Sequence, residues 1–133
     1  MDCIFCKIVD KEIPNYTLYE DETILAFLDI FPHAVGHTVV IPKKHGETIF
    51  DYDEVMIAEL HRAIKKIMER LQTVLQPEGF TVGWNHGDAG GQAVPHWHVH
   101  IFPRWNGDGG GSMHSVVKKN DGINVAEIYK RFG

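Results

Sequence analysis

HWHVHIFPR (96–104) places a histidine at 96, 98 and 100 and an apolar residue at each position between them. Alternation with period two is the pattern of a strand, sending His96, His98 and His100 to one face and Trp97, Val99 and Ile101 to the other. Side chains on one face then stand roughly 6.6–7 Å apart along the strand. The apolar face buries against a core and leaves the imidazole face for a cleft. A solvated edge strand is the plain alternative, although three histidines in register serve no packing purpose. Two chemical readings stay open from the residues alone. Imidazoles two apart on a strand can share one metal ion. Equally, one can act as a nucleophile while its neighbours orient it and move protons.

The rest of the chain frames that strand. Its 133 residues are expected to form one domain, 1–133, that buries a core without disulfides. Hydrophobic residues make up 44% and charged residues 23%, the balance of an ordinary globular protein. No apolar run approaches the roughly 20 residues of a membrane span, and MDCIFCKIVDKE lacks the architecture of a signal peptide. Thirteen basic against eighteen acidic residues give a net charge of −5, the wrong sign for gripping a nucleic-acid backbone. Nine histidines are the compositional oddity. Cys3 and Cys6 are too few and too close for a disulfide framework. Without a secretion signal they read as metal ligands or free thiols, and the expected compartment is the reducing cytoplasm.

Periodicity then orders the elements. CIFCKIVDKEI (3–13) is a short helical pattern ended by Pro14. TLYEDETILAFLDI (17–30) reads as a hairpin turning at Glu-Asp-Glu, and HTVVIP (37–42) as a strand stopped by Pro42. Residues 51–75 form the one long helix, with Asp51 and Glu54 resembling a capping box. Its apolar stripe is Ile57, Leu60, Ile64, Ile67, Leu71 and Val74. FTVGWN (80–85) is a strand, HGDAGGQAVP a glycine-rich loop, NGDGGG a mobile one, and VAEIYKRF a final short helix or arm. Paired strands, a helix and two more strands argue for an α+β fold with an antiparallel sheet.

GGQAV ahead of the histidine strand, HTVVIPKKH upstream, and CIFCKI with LAFLDI nearer the start form an ordered set. It resembles the histidine triad (HIT) family of nucleotide-binding proteins over most of the chain. The resemblance implies an α+β domain with a five-stranded antiparallel sheet, one long helix and one short N-terminal helix. It also implies a homodimer joined sheet edge to sheet edge, with helix 51–75 at the interface. Carried onto matching positions, His98 attacks the α-phosphorus of a nucleotide and forms a covalent nucleotidyl-imidazole. His100 bonds the phosphate or its bridging atom and passes a proton to the leaving group. His37 supports the same cluster; taken alone, a histidine at a strand start is plain polarity.

In GDAGGQ (87–92), backbone amides at Gly91 approach a phosphate because glycine has no Cβ to obstruct them. Gln92 and Asn85 match phosphate-side polar residues. A glycine-rich hairpin connection by itself is common and weak support. Where the family often carries Ser or Thr, this chain has Ala93, which removes a hydroxyl donor worth about 1–2 kcal/mol. Asp29 is expected on the ribose hydroxyls. Ile4, Phe5, Ile8, Phe27 and Ile30 would form an apolar slot for a purine, and each reads equally well as core. The CIFCKI members resemble a zinc-binding subgroup, which implies a closed site of Cys3, Cys6, His45 and His96. Reduced, partly buried thiols are the alternative. His33, His61, His86 and His114 read as ordinary polar positions, and Arg104 borders the leaving-group side.

The implied activity is hydrolysis of purine nucleoside 5′-phosphoramidates, as in an adenosine 5′-monophosphoramidase. Dinucleoside polyphosphate hydrolysis is the runner-up within the same chemistry. A low-turnover regulatory nucleotide binder and a hydrolase using HxHxH to hold a catalytic metal are the rival classes.

Overall fold

The computed structural model describes residues 2–133. Five antiparallel strands form one sheet in the order β1-β2-β3-β5-β4: β1 (Thr17–Glu20), β2 (Ile24–Leu28), β3 (Thr38–Pro42), β4 (Gly79–Gly83) and β5 (Val99–Arg104). Short α1 (Ile4–Val9) and long α2 (Glu54–Leu75) complete the body, and α3 (Val125–Tyr129) lies in an exposed C-terminal segment. No described helix is long and apolar enough to cross a membrane.

β2 and β3 are buried on both faces, and their alternation divides the interior in two. Ile24, Ala26 and Val40 face α2, where they meet Leu60, Ala63, Ile64, Ile67 and Leu71, together with Trp97, Val99 and Ile101. Leu25, Phe27, Val39 and Ile41 face the other way and meet Cys3, Phe5 and Ile8 of the α1 region. Fully burying Leu60 or Ile67 is worth about 1.5–3 kcal/mol each, so α2 is held by its stripe. The histidine face of the 96–102 segment looks to the α1 side.

Several boundaries differ from the sequence expectation, each for a local reason. α1 ends at Val9, before Pro14, because Lys11 turns left-handed (φ 65°) and the amides of Glu12 and Ile13 fold back onto the Lys7 carbonyl. α2 is capped by Asp53, whose side chain accepts from the Met56 amide at 2.9 Å. Asp51 instead closes a capping box with Thr48 on a preceding 3-10 turn, Ile49–Asp51. Val74 falls off the stripe and is 68% exposed. β4 stops at Gly83, paired with His100, since Trp84 and Asn85 leave the ladder toward the glycine loop.

Ladder pairing of β5 begins only at Val99, opposite Val40. Beyond that point Ile41 and Pro42 pair with β2 alone. Residues 96–98 keep the alternation through other bonds: Trp97 N–H to the Gly46 carbonyl (2.9 Å) and the His96 ring to the Pro42 carbonyl (2.8 Å).

Candidate active site

Hydrogen-bond partners assign the tautomer of each buried imidazole. A backbone carbonyl only accepts, so His98 Nδ1, 2.7 Å from the His96 carbonyl, must carry the proton. That leaves the lone pair on His98 Nε2, and His98 lines an apolar cavity of 330 Å³. His37 Nδ1 accepts the His33 backbone N–H at 3.2 Å, so its own proton sits on Nε2 and is donated to His100 Nδ1 at 2.9 Å. His100 therefore holds its proton on Nε2, the ring nitrogen left for a ligand. The order His33 N–H, His37, His100 is a directed chain that ends in a proton donor.

Burial keeps these rings neutral. It pushes His98 and His37 below the ordinary histidine value. For His100, burial and the neighbouring imidazoles of His98 and His37 bring the value down to about 4. A neutral His98 is a competent nucleophile, and a neutral His100 presents its Nε2–H as a hydrogen-bond donor.

The cavity walls come from three places in the chain. Ile4, Phe5 and Ile8 of α1 and Phe27 of β2 form one side, and the Phe5 ring stands edge-on to His98 with centroids 5.0 Å apart. Ile30 reaches the rim with two thirds of its surface exposed. Gly91 and Ala93 close the opposite lip, and Gly91 adopts φ 92°, a conformation that costs glycine least. A second cavity of 780 Å³ lies beyond His100, and Asp29, Asn85 and His100 line both. Asp29 accepts the Phe31 amide on Oδ1 (2.9 Å) and holds Oδ2 3.6 Å from His37 Nε2.

Gln92, expected on the phosphate, and Arg104, expected on the leaving-group side, each bond to neighbouring loop groups. The Gln92 side chain points away from the cavity: Oε1 accepts the Gly87 N–H at 2.9 Å, and Nε2 donates to the Glu47 and Val94 carbonyls. It shapes the glycine loop. Arg104 is spent on Asp108 (2.6 and 2.9 Å), Thr81 and the Gly111 carbonyl, and organises the loop after β5. Conversely, two histidines that read as ordinary polar positions line the second cavity. They are His33, whose amide anchors His37, and His86, whose ring packs edge-on against Phe50. A backbone carbonyl is the expected device for fixing the His98 tautomer, but that the His96 carbonyl does so, and the Pro42 carbonyl likewise for His96, has no residue-type signature.

Cys3, Cys6, His45 and His96 form a separate cluster whose donor atoms all lie within 4.8 Å of one another. His96 Nδ1 is 3.4 Å from Cys3 Sγ, 3.6 Å from Cys6 Sγ and 3.3 Å from His45 Nδ1, and Cys6 Sγ is 3.3 Å from His45 Nδ1. Since His96 Nε2 donates to the Pro42 carbonyl, its Nδ1 presents a lone pair to the thiols. The adjacent His98 turns its own Nε2 elsewhere, so the three-histidine row is divided between two centres.

An antiparallel five-stranded sheet that buries a divided histidine row beside an apolar cavity defines a class, the histidine triad proteins. The chain belongs to the HIT domain family, whose sequence profile matches residues 10–107. It is 42% identical over 113 residues to "Protein hit" of Bacillus subtilis, covering 84% of this chain and 78% of that one. It is 40% identical over 106 residues to an adenosine 5′-monophosphoramidase of Schizosaccharomyces pombe, covering 80% and 77% respectively. A crystal structure of a HIT family member from Bacillus subtilis superposes with a TM-score of 0.86 at 36% identity, over 99% of this chain and 95% of that one.

Proposed function

We propose that the protein hydrolyses purine nucleoside 5′-phosphoramidates through a nucleotidyl intermediate on His98. One observation carries this reading: the His96 carbonyl locks the His98 proton on Nδ1, so the free lone pair of Nε2 belongs to the cavity. The fission yeast relative with adenosine 5′-monophosphoramidase activity supports the substrate class.

In the first step the His98 Nε2 lone pair forms a bond to the α-phosphorus while the bond from phosphorus to the amine breaks. The amine takes its proton from a water that His100 Nε2–H polarises by hydrogen bonding. In the second step the hydroxide so formed attacks phosphorus and the bond to His98 breaks. The products are the nucleoside monophosphate and the free amine. Asp29 is the acceptor for the ribose hydroxyls and Asn85 a donor to the phosphate, at the junction of the two cavities. An apolar slot without a base-edge reader admits purines with little discrimination.

Quenching the wild type during turnover of an adenosine 5′-phosphoramidate should reveal one adenylyl group on His98 by mass spectrometry. His98→Asn should still bind AMP and lose turnover by four orders of magnitude or more. Equal turnover in the two proteins would overturn the assignment.

We also propose that Cys3, Cys6, His45 and His96 hold a structural zinc ion. Tetrahedral zinc with bonds of about 2.0–2.3 Å spaces its ligand atoms roughly 3.3–3.8 Å apart. The four S···N and N···N separations given above, 3.3–3.6 Å, fit that set. Burial and the adjacent Cys3 thiol push the Cys6 thiol up to about 11, a cost that a bound dication would offset. When bound, zinc neutralises two thiolates and ties α1 to the 96–98 segment; catalysis itself stays with the imidazoles. The sheet edge at β4, open in the monomer, suits the paired assembly that the family resemblance implies, which sedimentation would test.

A further inference from the structure

The two centres share their scaffolding. Cys3 and Cys6 bracket the turn of α1 that carries Ile4 and Phe5, so one short helix supplies two metal-type donors and a wall of the nucleoside slot. His96 joins them a second time: its Nδ1 faces the thiols and its carbonyl fixes His98. Phe5 packs against both imidazoles, with centroids 5.8 Å from His96 and 5.0 Å from His98. At six residues α1 is far below the length, about 12–15 residues, at which a helix is even marginally stable by itself. Its place depends on burial of Phe5 and Ile8 and on whatever holds the two cysteines to His45 and His96.

We propose that Cys3 and Cys6 are a redox modification site that latches the nucleoside slot. With both thiols reduced and held with His45 and His96, α1 closes the slot and the 96–98 segment is fixed. A peroxide opens the latch. One thiolate attacks a peroxide oxygen, the O–O bond breaks, and water leaves after protonation, giving a sulfenic acid. The second thiolate attacks that sulfur, an S–S bond forms, and a second water leaves. Two thiolates, one hydrogen peroxide and two protons thus become one disulfide and two waters, and the metal loses two ligands. Residues three apart at a helix start are within bridging reach, and the Cys6 amide already donates to Cys3 Sγ at 3.4 Å. Cys3 is buried, and half-buried Cys6 is the point of entry. The disulfide is local to α1, so it relieves the helix of its tie to His45 and His96 and replaces it with nothing.

This proposal rests on the nucleotide-site reading but not on the identity of the leaving group. The test uses wild-type protein purified with zinc and treated with hydrogen peroxide. Zinc release is followed with a chromophoric chelator, free thiols by mass spectrometry, and AMP affinity by calorimetry. Two thiols and one zinc should be lost together, with AMP binding weakened about tenfold, inside the 5–150-fold range usual for coupled sites. Dithiothreitol with added zinc should restore all three, which separates the latch from irreversible damage to methionine or His98. In the substrate assay KM should rise more than kcat falls. Unchanged AMP affinity after zinc is gone, or a disulfide formed without zinc release, would overturn the proposal. So would protein that carries no zinc when purified. Redox-dependent AMP binding in a protein without phosphoramidate turnover would sink the functional reading and leave the latch standing.

Discussion

His37 is predicted to act by setting the tautomer of His100, and His37→Asn isolates that role. The wild-type ring is 2% exposed and makes two directed bonds, accepting from the His33 amide and donating to His100 Nδ1. The shorter Asn side chain cannot span both partners. Losing a buried hydrogen bond costs about 1–3 kcal/mol. At 1.36 kcal/mol per decade this is a fall of roughly 5–150-fold in kcat. His37 does not line the nucleoside cavity, so KM for an adenosine 5′-phosphoramidate should stay within about threefold while kcat falls. The adenylyl group should still appear on His98, because the His96 carbonyl is untouched. Thermal unfolding, measured in parallel, confirms that the variant is folded. A loss as large as that of His98→Asn would place His37 in the chemistry itself, and an unchanged kcat would mean the chain of imidazoles transmits nothing. Either result refutes the reasoning.

Ala93→Ser restores a hydroxyl at the lip of the nucleoside cavity, and kcat/KM should rise by up to about tenfold if it reaches the transition state. No gain in steady-state assays would place the phosphate elsewhere. Because burial and neighbouring imidazoles hold His100 to about 4, the acid limb of the kcat/KM profile should fall near pH 4–5 and not near the ordinary 6.5. The same depression predicts that the unfolded chain takes up this proton first. Stability should therefore be complete above pH 6.5 and decline toward pH 4, by up to about 3 kcal/mol from this group. Urea unfolding of wild type and His100→Asn at several pH values would expose the difference, and parallel curves would count against it. Asp53→Ala removes the α2 cap and should cost about 1 kcal/mol, whereas Asp51→Ala should leave that cap intact.

Much of this protein is written in local pattern. Period-two alternation placed Trp97, Val99 and Ile101 in the core and the histidines opposite them, and the three-to-four spacing of α2 picked out the residues that cover the sheet. Those patterns are legible because burial acts on side chains whose direction follows from backbone geometry alone. Val74 and Asp51 were misread for the complementary reason: a periodic residue near a helix end, or an acid near its start, looks the same whether or not the fold brings it a partner. Resemblance supplied the roles expected of His98 and Asp29, but the residues could not say which ring nitrogen carries a proton.

Tertiary structure decided that through groups every residue possesses. The carbonyls of His96 and Pro42 and the amide of His33 orient three of the imidazoles, and none of them differs in kind from any other backbone group in the chain. It also turned Gln92 and Arg104 inward to loop carbonyls and carboxylates, because their long side chains satisfy whichever partners the fold brings near. The division of HWHVHIF into a thiol-facing His96 and a cavity-facing His98 has the same origin. Alternation puts both on one face, but only the fold, by setting α1 beside residues 45 and 96, gives them different neighbours.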